Sequence, residues 1–306
     1  MFELKRTHAR SKFKDLLGQA NHFLITILVG LNGVQSGTAI LDESFRTSWN
    51  PHDLKRSVER SRVFALDLAL IRAVDALDAY MMQSRRRPFA IHDQAFLSSM
   101  DRSGHRIFRR LEVFEEFLTP LPKKKYALLM LAIDWRNIRV HSLAEDKLNR
   151  TSEKIIAENA AEFYAHYSGL NVEELLRHYK NNEAPTFKEA ASIIRLVHEV
   201  VEHFDTTLLQ RVDIEQYTTE SLALSLSEST KLGPEVALRN ACQKIWGATD
   251  KKTPKIQRAL RLVGVHEVTE ISGRQLPDKY INSIIDLSPA KAFEFLVEQS
   301  KQGIQS

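Results

Sequence analysis

Apolar residues recur along this chain at three- and four-residue steps almost from end to end, and hardly anywhere alternate at two-residue steps. That period puts side chains on one face of an α-helix, so the pattern predicts an all-α fold. Phe13, Leu16, Leu17, Ala20, Phe23, Leu24, Ile27 and Leu28 mark a first helix over about 6–31, ended by the glycine-containing "GLNGVQSG". A second follows "NPHD", where Asn50 or Asp53 can cap the first amide groups, and carries Leu66, Leu70, Ala73, Leu77 and Tyr80 as its stripe. "RRRP" at 85–88 closes it, because a proline restricts the residue before it. Ile107, Leu111, Phe114 and Leu118 define a third over about 100–118, and a fourth opens at "KKKY" and runs through Leu128, Leu129, Ala132 and Trp135.

Shorter helices are predicted at about 152–167 and 171–181, the second opened by Asn171 and Glu174 at capping-box spacing. Thr186 and Glu189 repeat that spacing before a long helix striped by Ala190, Ile193, Ile194, Val197, Val201, Phe204 and Leu208. The serine-rich "ESLALSLSESTKLGPE" suggests a boundary between residues 1–213 and 214–306. Four more helices are expected beyond it, at about 235–246, 254–263, 277–286 and 289–301. The picture is a bundle of long antiparallel helices followed by a small helical region of no assigned role.

Composition adds little to the fold and some limits to the chemistry. With 306 residues, 43% of them hydrophobic, the chain can bury a core unaided. A net charge of +4 tolerates a polyanion without announcing one. The single cysteine, Cys242, excludes an internal disulfide framework and a cysteine-rich metal site, which points to the cytoplasm. The longest apolar run, "FLITILVGL" at 23–31, is shorter than the roughly 20 residues a bilayer crossing needs and sits too far along for a signal peptide, so no membrane role is expected.

The chemistry concentrates in "DWRNIRVHS" at 134–142, the end of the apolar fourth helix. Arg136 and His141 are five apart, about 140° around an ideal helix, while Asn137 and His141 share a face. Asn137 can orient the imidazole while the longer Arg136 reaches round from the adjacent face. A histidine can accept and return a proton near neutral pH, and a forked guanidinium can hold a phosphate as charge builds on it. Those are the groups that metal-free RNA cleavage needs, and two copies would double them, which predicts a homodimer.

"RNIRVH" resembles the signature of the HEPN superfamily: Arg, a polar residue that is often Asn, three to five residues, then His. The resemblance covers the motif and the helices around it, roughly residues 1–213. It implies a helical bundle that dimerises to form a metal-independent endoribonuclease, with Arg136 and His141 as catalytic pair, Asn137 as orienting residue, RNA as substrate and no cofactor. It further implies a toxin or an antiviral effector, with an antitoxin or another defence protein as partner. Family members regulated by a nucleotidyltransferase carry a tyrosine two residues after the histidine; here Leu143 stands there, which speaks against that control.

Arg followed by His at similar spacing also occurs at Arg46/His52, in "RRRPFAIH" ending at His92, and at Arg261/His266, but only at 136–141 does Asn follow a single Arg within an apolar helix. Arg46, followed by Thr47, is a weaker second candidate. The competing account makes Arg136 a solvated helix residue and the protein a catalytically silent module that binds RNA, a nucleotide or a protein, or a scaffold or antitoxin. "HEVVEH" at 198–203 lacks the spacing of a zinc site. Lys123, Lys124 and Lys125 start their helix against its dipole, which makes them candidate RNA phosphate contacts.

Overall fold

The structure, a computed structural model, describes residues 1–39, 42, 44, 49, 51–141, 148–228, 232–248 and 250–302, the side chains of 299–302 excepted. The fold is all-α apart from one small sheet. In chain order the elements are β1 (Phe2–Leu4), α1 (His8–Leu17), α2 (Ala20–Gln35), α3 (Leu54–Ser84), α4 (Gln94–Arg102), α5 (Ile107–Phe117) and α6 (Lys123–Val140). There follow α7 (Arg150–Glu158), α8 (Ala160–His166), α9 (Val172–Lys180), α10 (Phe187–Arg211) and α11 (Ile214–Ser227). The last are α12 (Pro234–Trp246), α13 (Lys252–Leu262), β2 (Val265–Glu267), β3 (Arg274–Leu276), α14 (Asp278–Asp286) and α15 (Pro289–Gln302). They group into two compact units, the first of residues 1–13, 79–120 and 202–306, the second of residues 14–78 and 121–201.

Several boundaries differ from the periodic reading, each for a local reason. The first expected helix is two, parted at Gly18, where a Cβ would stand 2.6 Å from the Lys14 carbonyl oxygen. The second of them continues through Gly30 and Gly33 and turns at Gly37, whose φ of +73° suits glycine. The third is also two: Asp93 caps α4 by accepting from the Ala95 and Phe96 amides, and Gly104, at φ +61°, breaks the chain before α5. The 152–167 segment divides at Asn159. The stretch 214–227, expected within a serine-rich linker, is α11, capped by Asp213 and buried from Tyr217 to Ala223. Of the two caps considered for α3, Asp53 accepts from the Arg56 amide at 2.9 Å, and Asn50 lies outside the described residues.

In the first unit, β1 is the centre of an antiparallel sheet of order β2-β1-β3, a feature that periodicity did not predict. Glu3 stitches it together, accepting from the Ser272 and Gly273 amides at 2.6 Å each. Burial raises the Glu3 pKa, but these amides and Lys5 outweigh it and bring the value down to about 2. The core packs Phe114 against Phe96, Tyr80 and Phe204 with ring centroids 5.2–6.1 Å apart. Beside it Asp205 is wholly buried, accepting from the Thr7 amide at 3.1 Å and from the Thr7 hydroxyl.

In the second unit, α6 is the central helix: every residue from Ala127 to Ile133 is buried, as is Trp135, whose indole donates to the Glu183 carbonyl at 3.0 Å. The α2 helix attaches by a narrow stripe, with Leu24 packed among Ala65, Leu66 and Ala190. Phe23, Ile25, Ile27 and Val29 on its other faces are exposed, and α2 holds no Asp, Glu, Lys or Arg. Among the described residues, His8–Gln35 is the one helical stretch long and apolar enough to cross a membrane, and 11% of its most apolar 18-residue window is buried.

Candidate active site

The candidate site forms where α6 leaves the core. After Trp135 the helix surfaces: Arg136, Asn137, Ile138 and Arg139 are half-buried, and Val140 and His141 are exposed. The backbone turns extended at His141 (φ −116°, ψ 106°), whose amide donates to the Asn137 carbonyl at 2.8 Å. His141 is therefore presented, exposed, at the C-terminus of α6.

Asn137 links the motif. Its side-chain oxygen accepts from Arg136 Nη1 at 3.2 Å, and its carbonyl holds the His141 amide. Asn137 thus holds the guanidinium through its side chain and the His141 backbone through its carbonyl. Arg136 takes Asp75 of α3 as partner, donating from Nε at 3.0 Å and Nη2 at 2.7 Å to the same oxygen, Oδ1. One turn on, Arg139 makes a closer fork with Asp67, Nε to Oδ1 at 2.8 Å and Nη2 to Oδ2 at 2.6 Å, and donates from Nη1 to the Asn182 carbonyl at 2.7 Å. Asp67, Asp75 and Arg139 were missed in the sequence. Two aspartates eight apart on one helix, facing two arginines three apart on another, were the available signal.

Lys123, Lys124 and Lys125 begin the same helix that the motif ends. From Lys125 to Arg136 the axial rise is about 16 Å, so one molecule does not gather them into one site. Lys123 is exposed, Lys124 pairs with Glu162, and Lys125 pairs with Glu199 at 2.8 Å. Glu199 is a hub that also meets His166 at 2.7 Å and Arg195 at 3.1 Å. Burial raises its pKa, but Lys125 and His166 outweigh it, and the value falls below the usual carboxylate range.

The other arginine–histidine spacings lead elsewhere. Arg85 pairs with Asp101, and His92 stacks edge-on against Phe89. His266 sits in β2, where burial, then the charges of Arg6, Lys5 and Arg261, push its pKa down. Arg46 and Leu143 lie outside the described residues. Cys242 is buried, and burial raises its thiol to about 11. Compared with family models, with curated proteins and with solved structures, the chain matches none of them.

Proposed function

We propose that the protein is a metal-independent endoribonuclease of HEPN type that works as a pair of copies, in the role of a toxin or an antiviral effector. The observation that carries this reading is the last turn of α6, where an exposed imidazole follows a guanidinium held ready by Asp75 and Asn137. The ribose 2′-oxygen attacks the adjacent phosphorus and the bond to the 5′-oxygen breaks. The proton leaves the 2′-hydroxyl and another arrives on the 5′-oxygen, by way of His141 of one copy and its counterpart of the other. Arg136 neutralises the crowded phosphate through the N–H groups it shares with Asn137. The products are a 2′,3′-cyclic phosphate and a 5′-hydroxyl.

The second unit also supports pairing of copies. Phe64 and Leu68 of α3 are 64% and 48% exposed, and an ideal helix puts them within about 40° of Asp75. Leu68 stands about 10 Å along the helix axis from Asp75, so a second copy seated on that apolar stripe lies along the face of α3 that carries Asp75. Incubation of the purified chain with total RNA in excess EDTA tests the reading: cleavage is expected, together with its loss in a folded His141→Ala variant. Full activity of that variant removes the assignment. A second reading has its own support, since two Arg136 donors are already on Asp75: a silent module in which Arg136 only anchors phosphate. Binding of RNA without cleavage selects it.

A further inference from the structure

Within the first unit, α11 carries Glu220, Ala223, Leu224 and Ser227 at the i, i+3, i+4, i+7 spacing of one helix face. That face lines a pocket of about 330 Å³, completed by Leu238 and Glu235 of α12, Val297 of α15 and Arg87. The walls are mostly aliphatic, and the polar groups are three charged side chains and the Ser227 hydroxyl, which donates to the Leu224 carbonyl at 2.9 Å. This is the usual make-up of a small-molecule site: an apolar body with a few polar groups that fix orientation.

Glu220 is the informative residue. Its side chain is 6% exposed, Gln216 donates to Oε1 at 3.0 Å, and no described residue hydrogen-bonds the buried Oε2. A buried carboxylate oxygen without a donor is unfavourable, and the penalty is relieved by whatever brings an N–H to it. Glu235 already pairs with Arg239 at 3.4 Å, so the open acceptor of the lining is Glu220, which favours a cationic donor over a neutral one and disfavours an anion.

We infer that this pocket binds a small amphiphilic amine, with the ammonium group on Glu220 and a short alkyl body against Leu224, Leu238 and Val297. The site is independent of the α6 motif, and its test reads binding alone. Titration of the full chain with n-hexylammonium, followed by calorimetry, is expected to saturate, whereas n-hexanoate and n-hexanol bind at least tenfold more weakly. Glu220→Gln, which keeps the shape and removes the charge, is expected to weaken hexylammonium about tenfold. Leu224→Phe, which fills the pocket from a half-buried wall and leaves Glu220 in place, is expected to abolish binding, with circular dichroism reporting on the fold of both variants. Absence of saturable hexylammonium binding to the wild-type chain, equal affinity in a folded Glu220→Gln variant, or equal binding of hexanoate overturns the proposal; in each case the pocket holds water only.

Discussion

Three aspartates, two in the second unit and one in the first, find their partners by different means. In the second, Asp67 and Asp75 meet guanidiniums of α6. In the first, Asp205 meets the amide and hydroxyl of Thr7, with the tyrosine hydroxyl of Tyr80 at 3.4 Å and the Arg10 guanidinium only at 3.9 Å. Burial pushes the Asp205 pKa up to about 6 in spite of those donors. The arginine clasps of the second unit differ between themselves. Arg139 and Asp67, 19% and 17% exposed, use both carboxylate oxygens; Arg136 grips a single oxygen of Asp75, which is 43% exposed. A closed fork is a building element, and an open one is a donor that a phosphate can share.

The largest effect is expected at Asp205. Its folded pKa of about 6 lies above the ordinary 3.8, so the native state holds this proton more tightly than the unfolded chain does. The stabilisation is complete below about pH 3.8 and is withdrawn as pH rises through about 6, a change of about 3 kcal/mol. Urea unfolding between pH 4 and 7 is expected to show that decline, and Asp205→Asn to flatten it. An unchanged slope in the variant means that hydroxyl and amide donors keep a buried aspartate ionised as well as guanidiniums do, and the contrast between the units is lost.

Next in size is Arg139→Ala, which leaves Asp67 and the Asn182 carbonyl without their partner; a loss of about 2 kcal/mol is expected in urea unfolding. In a double-mutant cycle with Asp67→Ala the two losses are expected to fall short of additivity by at least about 1 kcal/mol. Additive losses mean that the fork contributes nothing as a pair.

What the sequence made legible follows the range of each interaction. The Thr186–Glu189 capping box forms in both directions, 2.7 Å from the Thr186 amide to Glu189 and 3.3 Å from the Glu189 amide back, because all its parts lie within one turn. Asn171 caps α9 for the same reason. The β1 strand was not legible: three residues carry no detectable period, and its partners lie more than 250 positions away in the chain. The site was half legible. Arg136, Asn137 and His141 form a local pattern, whereas the carboxylate that the guanidinium takes, Asp75, lies 61 positions away. Arg139 carries no signal in the sequence, because its partner Asp67 lies 72 positions away. Serines misled at α11, where Ser221 is wholly buried: composition suggested a linker, and Asp213 together with the buried Tyr217 and Leu222 made a helix.

The smallest effect on stability, and the most telling, is expected for Arg136→Ala. Asp75 is exposed enough to be taken up by water when the guanidinium goes, so unfolding is expected to change by less than about 1 kcal/mol. Under the proposed function, RNA cleavage is expected to fall by about 10²–10³-fold in the same variant, because that reading makes Arg136 a preorganised donor to the phosphate. Arg136→Lys keeps a charge but not the fork, so it should restore stability more fully than cleavage. Asp75→Asn sharpens the point: it weakens the grip on the guanidinium, so RNA affinity is expected to stay level or rise, measured by filter binding at fixed salt. If Arg136→Ala instead destabilises as much as Arg139→Ala and leaves RNA binding and cleavage untouched, both clasps are building elements and the last turn of α6 holds no phosphate.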